Sequence, residues 1–238
     1  MRKNAQFILY RLSHWHGEMT ESSVGATVYS VWHYHFLSSL FADFIEDEEI
    51  RLTLAANYPF IDYFQRMIHG LGEDPKEERF NKICRGYYPT EEYKGDEPCI
   101  YNMVRAMADT YEFLITEVSK DMNDWKWGNI HVNEYANLPW SLTPLKPLFH
   151  REISTGGNGN TVKVSKYSLK KFKAQKSFKS SHTPNYKQIV QLGEDEKFLF
   201  SFDGGQNGNL LGGHYFDFAK SHTQGHLMEG VVGKNAVE

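Results

Sequence analysis

Phe200, Ser201, Phe202, Asp203, Gly204, Gly205, Gln206, Asn207, Gly208 and Asn209, closed by His214, Tyr215 and Asp217, form the stretch on which the fold reading turns. The apolar run 198–202 reads as a strand that goes straight into a double glycine. Gly204 and Gly205 are expected to end it, at least one of them in a backbone conformation other residues avoid. An amide pair follows, and an aromatic–acid pair closes the block. The glycine spacing lacks the lysine–serine ending of a P-loop and the full dinucleotide fingerprint. A tight turn that brings backbone close to another segment is the reading, with Asp217 as a helix cap or the partner of a nearby cation.

Upstream of this block the texture is strand-like. Segments 161–166, 186–192 and 197–202 read as strands. Residues 155–160 hold glycines and asparagines and read as a turn. Gly193 with the acids at 194–196 reads as a hairpin loop. The front half has a helical period instead. Thr20 and Ser22 offer N-caps, followed by Val24, Val28, Val31, Trp32, Leu40, Phe41, Phe44 and Ile45. The acids in 43–49 read as a solvated exit from that helix. Pro59 opens a short element with Ile61, Phe64, Met67 and Ile68 on one face, ended by Gly70 and Gly72. Residues 73–98 read as a long polar connection. After Pro98 comes a helix striped by Ile100, Met103, Val104, Met107, Ala108, Tyr111, Leu114 and Val118. The class is therefore α+β in a single segment, 1–123 mainly helical and 124–238 strand-rich.

The 238 residues suffice for one large domain or two small ones, and 40% hydrophobic with 15% aromatic residues can build a core. The net charge of -4 points to neither nucleic acid nor an anionic membrane. No apolar run is long enough to span a bilayer. The lysines from Lys166 to Lys187 form a basic stretch, in which Phe172 and Phe178 are expected to anchor the segment to the core. Cys84 and Cys99 leave two readings: a disulfide closing one surface loop, or two unrelated thiols. A disulfide leans the chain toward a secretory or extracytoplasmic compartment. The pairs His222/His226, His14/His16 and His33/His35 have no complete ligand set around them, so no metal and no cofactor is assigned.

Five motifs in collinear order resemble the penicillin acylase (penicillin amidase) family. Leu12, Trp15, Gly17 and the run 20–32 are similar to its tryptophan–glycine turn and following helix. Asp124, Trp125, Trp127, Gly128 and His131 resemble its tryptophan–glycine–x–x–histidine motif. Gly156, Gly157, Gly159, Asn160 and Thr161 resemble its glycine-rich turn. Ser181, His182, Pro184, Tyr186, Gln188 and Ile189 resemble its serine–histidine–x–proline segment, and Gly204, Gly205, Gln206, Gly208, His214, Tyr215 and Asp217 its closing block. The resemblance implies the C-terminal part of an N-terminal-nucleophile hydrolase, with two antiparallel sheets stacked between helical layers. It implies hydrolysis of linear amides by a first-residue hydroxyl whose own α-amine is the base. The family's nucleophile, oxyanion-hole asparagine and calcium ligands have no counterpart here. No residue of this chain is assigned a catalytic role, and the nucleophile is expected on a separate upstream chain. The alternative is a non-catalytic structural subunit of a larger assembly that keeps the fold. Trp127, Gly128 and His131 are expected to form a structural turn, with Trp127 buried and His131 hydrogen-bonded beneath tryptophans.

Overall fold

The computed structural model describes residues 2–42, 44–55, 58–85, 97–193 and 197–231. In chain order come α1 (Arg2–Ser13), α2 (Val24–Ser39), α3 (Glu48–Ala55), α4 (Tyr58–Glu73), α5 (Glu78–Cys84), α6 (Pro98–Phe113) and α7 (Trp127–Ile130). Next are β1 (His131–Tyr135), α8 (Lys146–Phe149), β2 (Arg151–Ser154), β3 (Lys166–Tyr167) and α9 (Leu169–Gln175). The last are β4 (Phe178–His182), β5 (Tyr186–Gln191), β6 (Lys197–Phe202), α10 (Asp217–Gln224) and β7 (Met228–Gly230). The first half is helical and the second holds the antiparallel strands with three short helices, α8, α9 and α10, among them, which is the α+β class. They form two compact units, Met1–Ile130 with Ser168–Phe178, and His131–Tyr167 with Lys179–Glu238.

In the helical unit α6 packs against α1, α2 and α5. Its buried residues are Cys99, Asn102, Ala106, Ala108 and Thr110, not the full apolar stripe expected from the sequence. The reason is close approach on several sides, which favours small residues and polar ones that satisfy themselves locally. Asn102 Nδ2 donates to the Cys84 carbonyl (2.7 Å) and the Thr110 hydroxyl to the Ala106 carbonyl (2.7 Å). A π-helical turn, Leu114–Val118, extends α6. Cys84 and Cys99 are joined by a disulfide, with Cα atoms 5.1 Å apart. Gly86, Pro89 and Gly95, which lie between them, are outside the described residues, as are Asp43 and 194–196.

Several boundaries differ from the sequence reading. The cap of α2 is Ser23, whose Oγ accepts from Ala26 N (3.1 Å), rather than Thr20 or Ser22. The helix stops at Ser39 because Leu40 is extended and Phe41 is left-handed, with its N–H on the Ile83 carbonyl (2.7 Å). Phe41, Phe44 and Ile45 therefore lie beyond it. The acids after them open α3 instead of closing α2. Asp47 Oδ1 accepts from Glu49 N and Ile50 N, and Glu48 and Glu49 fill the first turn, where the helix dipole favours negative charge. Buried Arg51 secures the bend, its Nε donating to the Ser38 carbonyl (3.0 Å). Helix α4 runs through Gly70 and Gly72 to Glu73; a Cβ on Gly70 would lie 2.4 Å from the Phe80 ring, so this glycine admits a neighbour and does not end a helix. The polar connection after it contains α5.

The basic stretch contributes α9 to the helical unit. Phe172 stacks on Phe178 at 4.0 Å and meets Tyr34 and Phe113 edge-on or tilted, so both phenylalanines are core. Its lysines face acids: Lys170 with Glu49 (3.3 Å), Lys173 with Glu48, Lys176 with Glu117 (3.8 Å). Trp127 is fully buried, its ring 5.2 Å from Phe178, and Trp125 is fully buried with its indole N–H on the Ser119 carbonyl (2.7 Å).

The strand-rich unit holds two antiparallel arrangements, one ordered β2-β1-β4-β3 and one ordered β5-β6-β7. Of the three strands expected, 186–192 and 197–202 become β5 and β6. Segment 161–166 does not form the expected strand, because the Thr161 hydroxyl accepts from Asn158 N (2.9 Å) and donates to the Lys163 carbonyl (2.7 Å); Val164 makes a single bridge to Asn158, and the ladder begins only at Lys166 and Tyr167. Strands β1, β2, β4 and β7 were not read from the sequence. The inward positions of β1 are His131 and Asn133, polar residues that break the apolar alternation.

Candidate functional site

The strand-rich unit contains an open cleft of about 720 Å³. Its walls are the end of β1, the turn at Thr183 and Asn185, the loop from Asp203 to Gly208, and Tyr215 with Phe216. Strand β6 delivers Asp203 to its floor, where Asp203 N donates to the Asn185 carbonyl (3.0 Å). The carboxylate then gathers the site. Oδ1 accepts from the Tyr135 hydroxyl (2.7 Å) and Gly204 N (3.0 Å), and Oδ2 accepts from the Thr183 hydroxyl (3.1 Å). Burial, with the Asp203 carboxylate adding to it, pushes the Tyr135 phenol up to about 12, so it is a donor throughout the physiological range.

The closing block folds back on itself around that carboxylate. Gly204 has φ +78°, and a Cβ on Gly205 would sit 2.2 Å from the Tyr215 carbonyl oxygen. Asn207 N donates to the His214 carbonyl (3.1 Å), and the Tyr215 hydroxyl accepts from Asn137 Nδ2 (2.8 Å). Asp217 is the first residue of α10 and not its cap, which is Phe216 with no side-chain cap hydrogen bond. Its Oδ1 takes its neighbour Phe218 N (3.1 Å), and Oδ2 accepts from His214 Nδ1 (2.8 Å). Gln206 and Gly208 line the cleft.

A second cluster supports the β1 wall. His131 is fully buried, with Nδ1 3.0 Å from the Thr155 carbonyl and Nε2 3.2 Å from the Ser165 carbonyl. Ser165 in turn donates its hydroxyl to Asn133 Oδ1 (2.6 Å), and Asn133 reaches the cleft. Burial lowers the imidazole to about 4, although both carbonyl contacts act in the opposite direction. At neutral pH the ring is uncharged and donates to one carbonyl only. Trp127 and Gly128 belong to the helical unit, where their N–H groups donate to the carbonyls of Ser23 (3.0 Å) and Glu21 (2.8 Å). The motif thus straddles the passage from one unit to the other.

Among the described residues each hydroxyl of the cleft wall has a hydrogen-bond partner: Tyr135 and Thr183 donate to Asp203, Tyr215 accepts from Asn137, and Ser180 donates to the His182 carbonyl (3.3 Å). The geometry of a nucleophile and base occurs elsewhere. Ser201 Oγ lies 2.9 Å from His222 Nδ1, and His222 Nε2 is 2.7 Å from the Pro184 carbonyl. Both residues are buried and neither lines the cleft, so the pair welds β6 to α10. That commitment removes His222 from any pairing with His226, which follows the left-handed cap Gly225 and is off the helix.

Glu134, His150 and Glu152 place three ligand atoms within 4.8 Å of one another. Glu134 and Glu152 are direct cross-strand partners on β1 and β2. Their like charges are offset without a metal, since Lys179 Nζ lies 2.5 Å and His150 Nε2 3.2 Å from Glu152 Oε1. Burial acts against the charged form of Glu152, but these two partners outweigh it and hold the carboxyl below its usual range. His150 Nδ1 is buried with no hydrogen-bond partner among the described residues. No linear spacing announces this cluster or the Ser201–His222 pair, because tertiary approach assembles both, β1 beside β2 in the first and α10 against β6 in the second.

The sequence profile described as penicillin amidase matches residues 2–238. Two curated proteins are similar: the acyl-homoserine lactone acylase QuiP of Pseudomonas aeruginosa, 24% identical over 230 residues, and that of Pseudomonas fluorescens, 21% identical over 218 residues. Each comparison covers 91% of this chain but only 26% and 24% of the respective relative, so the chain spans about a quarter of their length. With a match along nearly all its residues, the chain belongs to the penicillin amidase family.

Proposed function

We propose that this chain is the C-terminal segment of a penicillin-acylase-type amidohydrolase, one that hydrolyses the C–N bond of linear N-acyl compounds with a nucleophile carried on a separate upstream chain. The observation that carries the reading is the pairing of a family match over residues 2–238 with a cleft whose hydroxyls, among the described residues, all have hydrogen-bond partners. Both cysteines lie in a disulfide, which leaves no thiol to attack. The motif residues then serve as scaffold. His131 and Asp203 hold loops in place, and Gly204 and Gly205 let the closing block fold tightly. Acyl-homoserine lactones head the substrates to try, because both curated relatives are named for them.

The test is amine release from a panel of N-acyl substrates, with the purified chain alone and with the native assembly. The chain alone should give no turnover. Activity should appear with a partner whose first residue is Ser, Thr or Cys. Turnover by the chain alone, abolished by a substitution within it, would overturn the reading. The same engaged hydroxyls favour one alternative, a non-catalytic subunit that retains the fold as an interaction platform. A native assembly inactive on the whole panel selects it.

A further inference from the structure

Two asparagines of the chain are followed by glycine, Asn158 and Asn207. In that dipeptide a main-chain nitrogen can attack the side chain before it. Glycine has no Cβ, so little shields its nitrogen from the amide carbon of the preceding residue. Both asparagines also make the same local turn. Asn207 Oδ1 accepts from Asn209 N (2.8 Å), and Asn158 Oδ1 accepts from Asn160 N (2.7 Å). The turn folds the side-chain amide over the following peptide. It also fixes a donor on the oxygen where negative charge gathers as the nitrogen attacks.

The surroundings separate the two. Asn158 is half-buried and held on both sides of its Cα. Its N donates to the Thr161 hydroxyl (2.9 Å), and its carbonyl accepts from Ser165 N (2.9 Å). Gly157 just before it is packed so closely that a Cβ would lie 2.1 Å from the Lys163 carbonyl oxygen. Ring closure requires rotation about the asparagine main chain, and these contacts resist it. Asn207 is exposed, and its main chain makes one bond, N to the His214 carbonyl (3.1 Å). Its carbonyl, its Nδ2 and Gly208 N have no hydrogen-bond partner among the described residues. A Cβ on Gly208 would meet open space, so water and base reach this peptide.

We propose that Asn207 is a site of spontaneous covalent modification, deamidating through a cyclic imide formed with Gly208, and that its fold spares Asn158. Gly208 N gives up its proton and bonds to Asn207 Cγ. The Cγ–Nδ2 bond breaks, and the nitrogen leaves as ammonia with that proton. Water then opens the ring. Cleavage at Cγ gives aspartate. Cleavage at the main-chain carbonyl carbon gives isoaspartate, in which the chain runs through the side-chain carbon. Either product adds a carboxylate to a cleft wall that already holds Glu134 and Asp203 and, among the described residues, no lysine or arginine. The modification needs no turnover by the assembly.

Peptide mapping decides it. The protein purified in its native form is held for weeks in mildly alkaline buffer, digested, and read by mass spectrometry for loss of ammonia against gain of water. A sample kept unfolded in denaturant is the reference, in which both asparagines should convert alike. In the native protein Asn207 should convert about tenfold or more faster than Asn158, because the bonds that hold Asn158 must loosen first. Gly208→Ala finds room and an ordinary φ, so the fold should persist while its Cβ hinders the attack and slows conversion at position 207. Conversion of Asn158 as fast as Asn207 in the native protein overturns the proposal. So does a native Asn207 that stays intact while the unfolded reference converts, or a rate unchanged by Gly208→Ala.

Discussion

Gly204 and Gly205 stand side by side and are needed for different reasons. Gly204 has a positive φ with open space where a Cβ would go, so Ala there meets only the left-handed penalty, about 1 to 2 kcal/mol. Gly205 has an ordinary φ, but its Cβ would meet the Tyr215 carbonyl at 2.2 Å, and backbone must move. Gly205→Ala should cost about 2 to 3 kcal/mol as overpacking and exceed Gly204→Ala in denaturant melts of the native protein. The reverse order would contradict the close approach. Trp127→Ala empties a fully buried position against Phe178, and about 3 to 5 kcal/mol should be lost. An unchanged melting temperature would refute that. These positions were readable in the sequence because each carries a local signal, a strand running into glycines or a tryptophan beside a glycine. Arg51 and the Glu134, His150 and Glu152 cluster carry none, since their partners are set by tertiary approach.

Helix α2 carries His33 and His35, which burial lowers to about 4, as it does His131 at the start of β1. For His35, Asp109 and Glu48 pull upward and Lys176 downward, and its buried Nε2 has no partner. Unfolded imidazoles take up a proton near 6.5. Between that value and about 4 the unfolded chain binds more protons than the fold. Stability contributed by keeping these rings neutral is therefore full above pH 6.5 and lost as pH falls toward 4. Melting temperature should drop across that window, and less steeply in His35→Asn. A flat profile, or one equally steep in the variant, would count against the assignment. The sequence made α2 and α6 legible through their period, and β6 through its apolar run into the double glycine, with β5 just before it. It concealed β1 and β4 because buried polar residues stand where apolar ones are expected: His131, Asn133 and Ser180. It placed helix ends badly where a cap or a tertiary contact decides, as at Ser23 and Phe41.

At the scale of the molecule, large apolar side chains remain in the open. Leu192 is 84% exposed, Leu211 93% and Leu142 82%. Among the described residues no helix is long and apolar enough to cross a membrane, so a bilayer-spanning helix does not account for them. Protein contact would, and the chain by itself is expected to associate rather than to persist as a monomer. Sedimentation velocity across a micromolar concentration series checks this. A single monomeric boundary with a cooperative melt would show that the chain is self-sufficient. The family as a whole was legible from five short motifs, none sufficient alone, because their order along the chain is as informative as their content.

The chain leaves the helical unit after Ile130, returns for Ser168–Phe178, and leaves again. That second visit brings Phe172 and Phe178, both fully buried or nearly so, into the aromatic core beside Tyr34, Phe113 and Trp127. Neither unit is therefore one uninterrupted stretch of gene. A stop codon after the first visit would leave a helical body with a hole the size of two phenylalanines. A protease that clipped both connections would free a peptide with no reason to depart. Recombination can exchange this region between relatives only as a whole, which ties the inheritance of the helices to that of the strands.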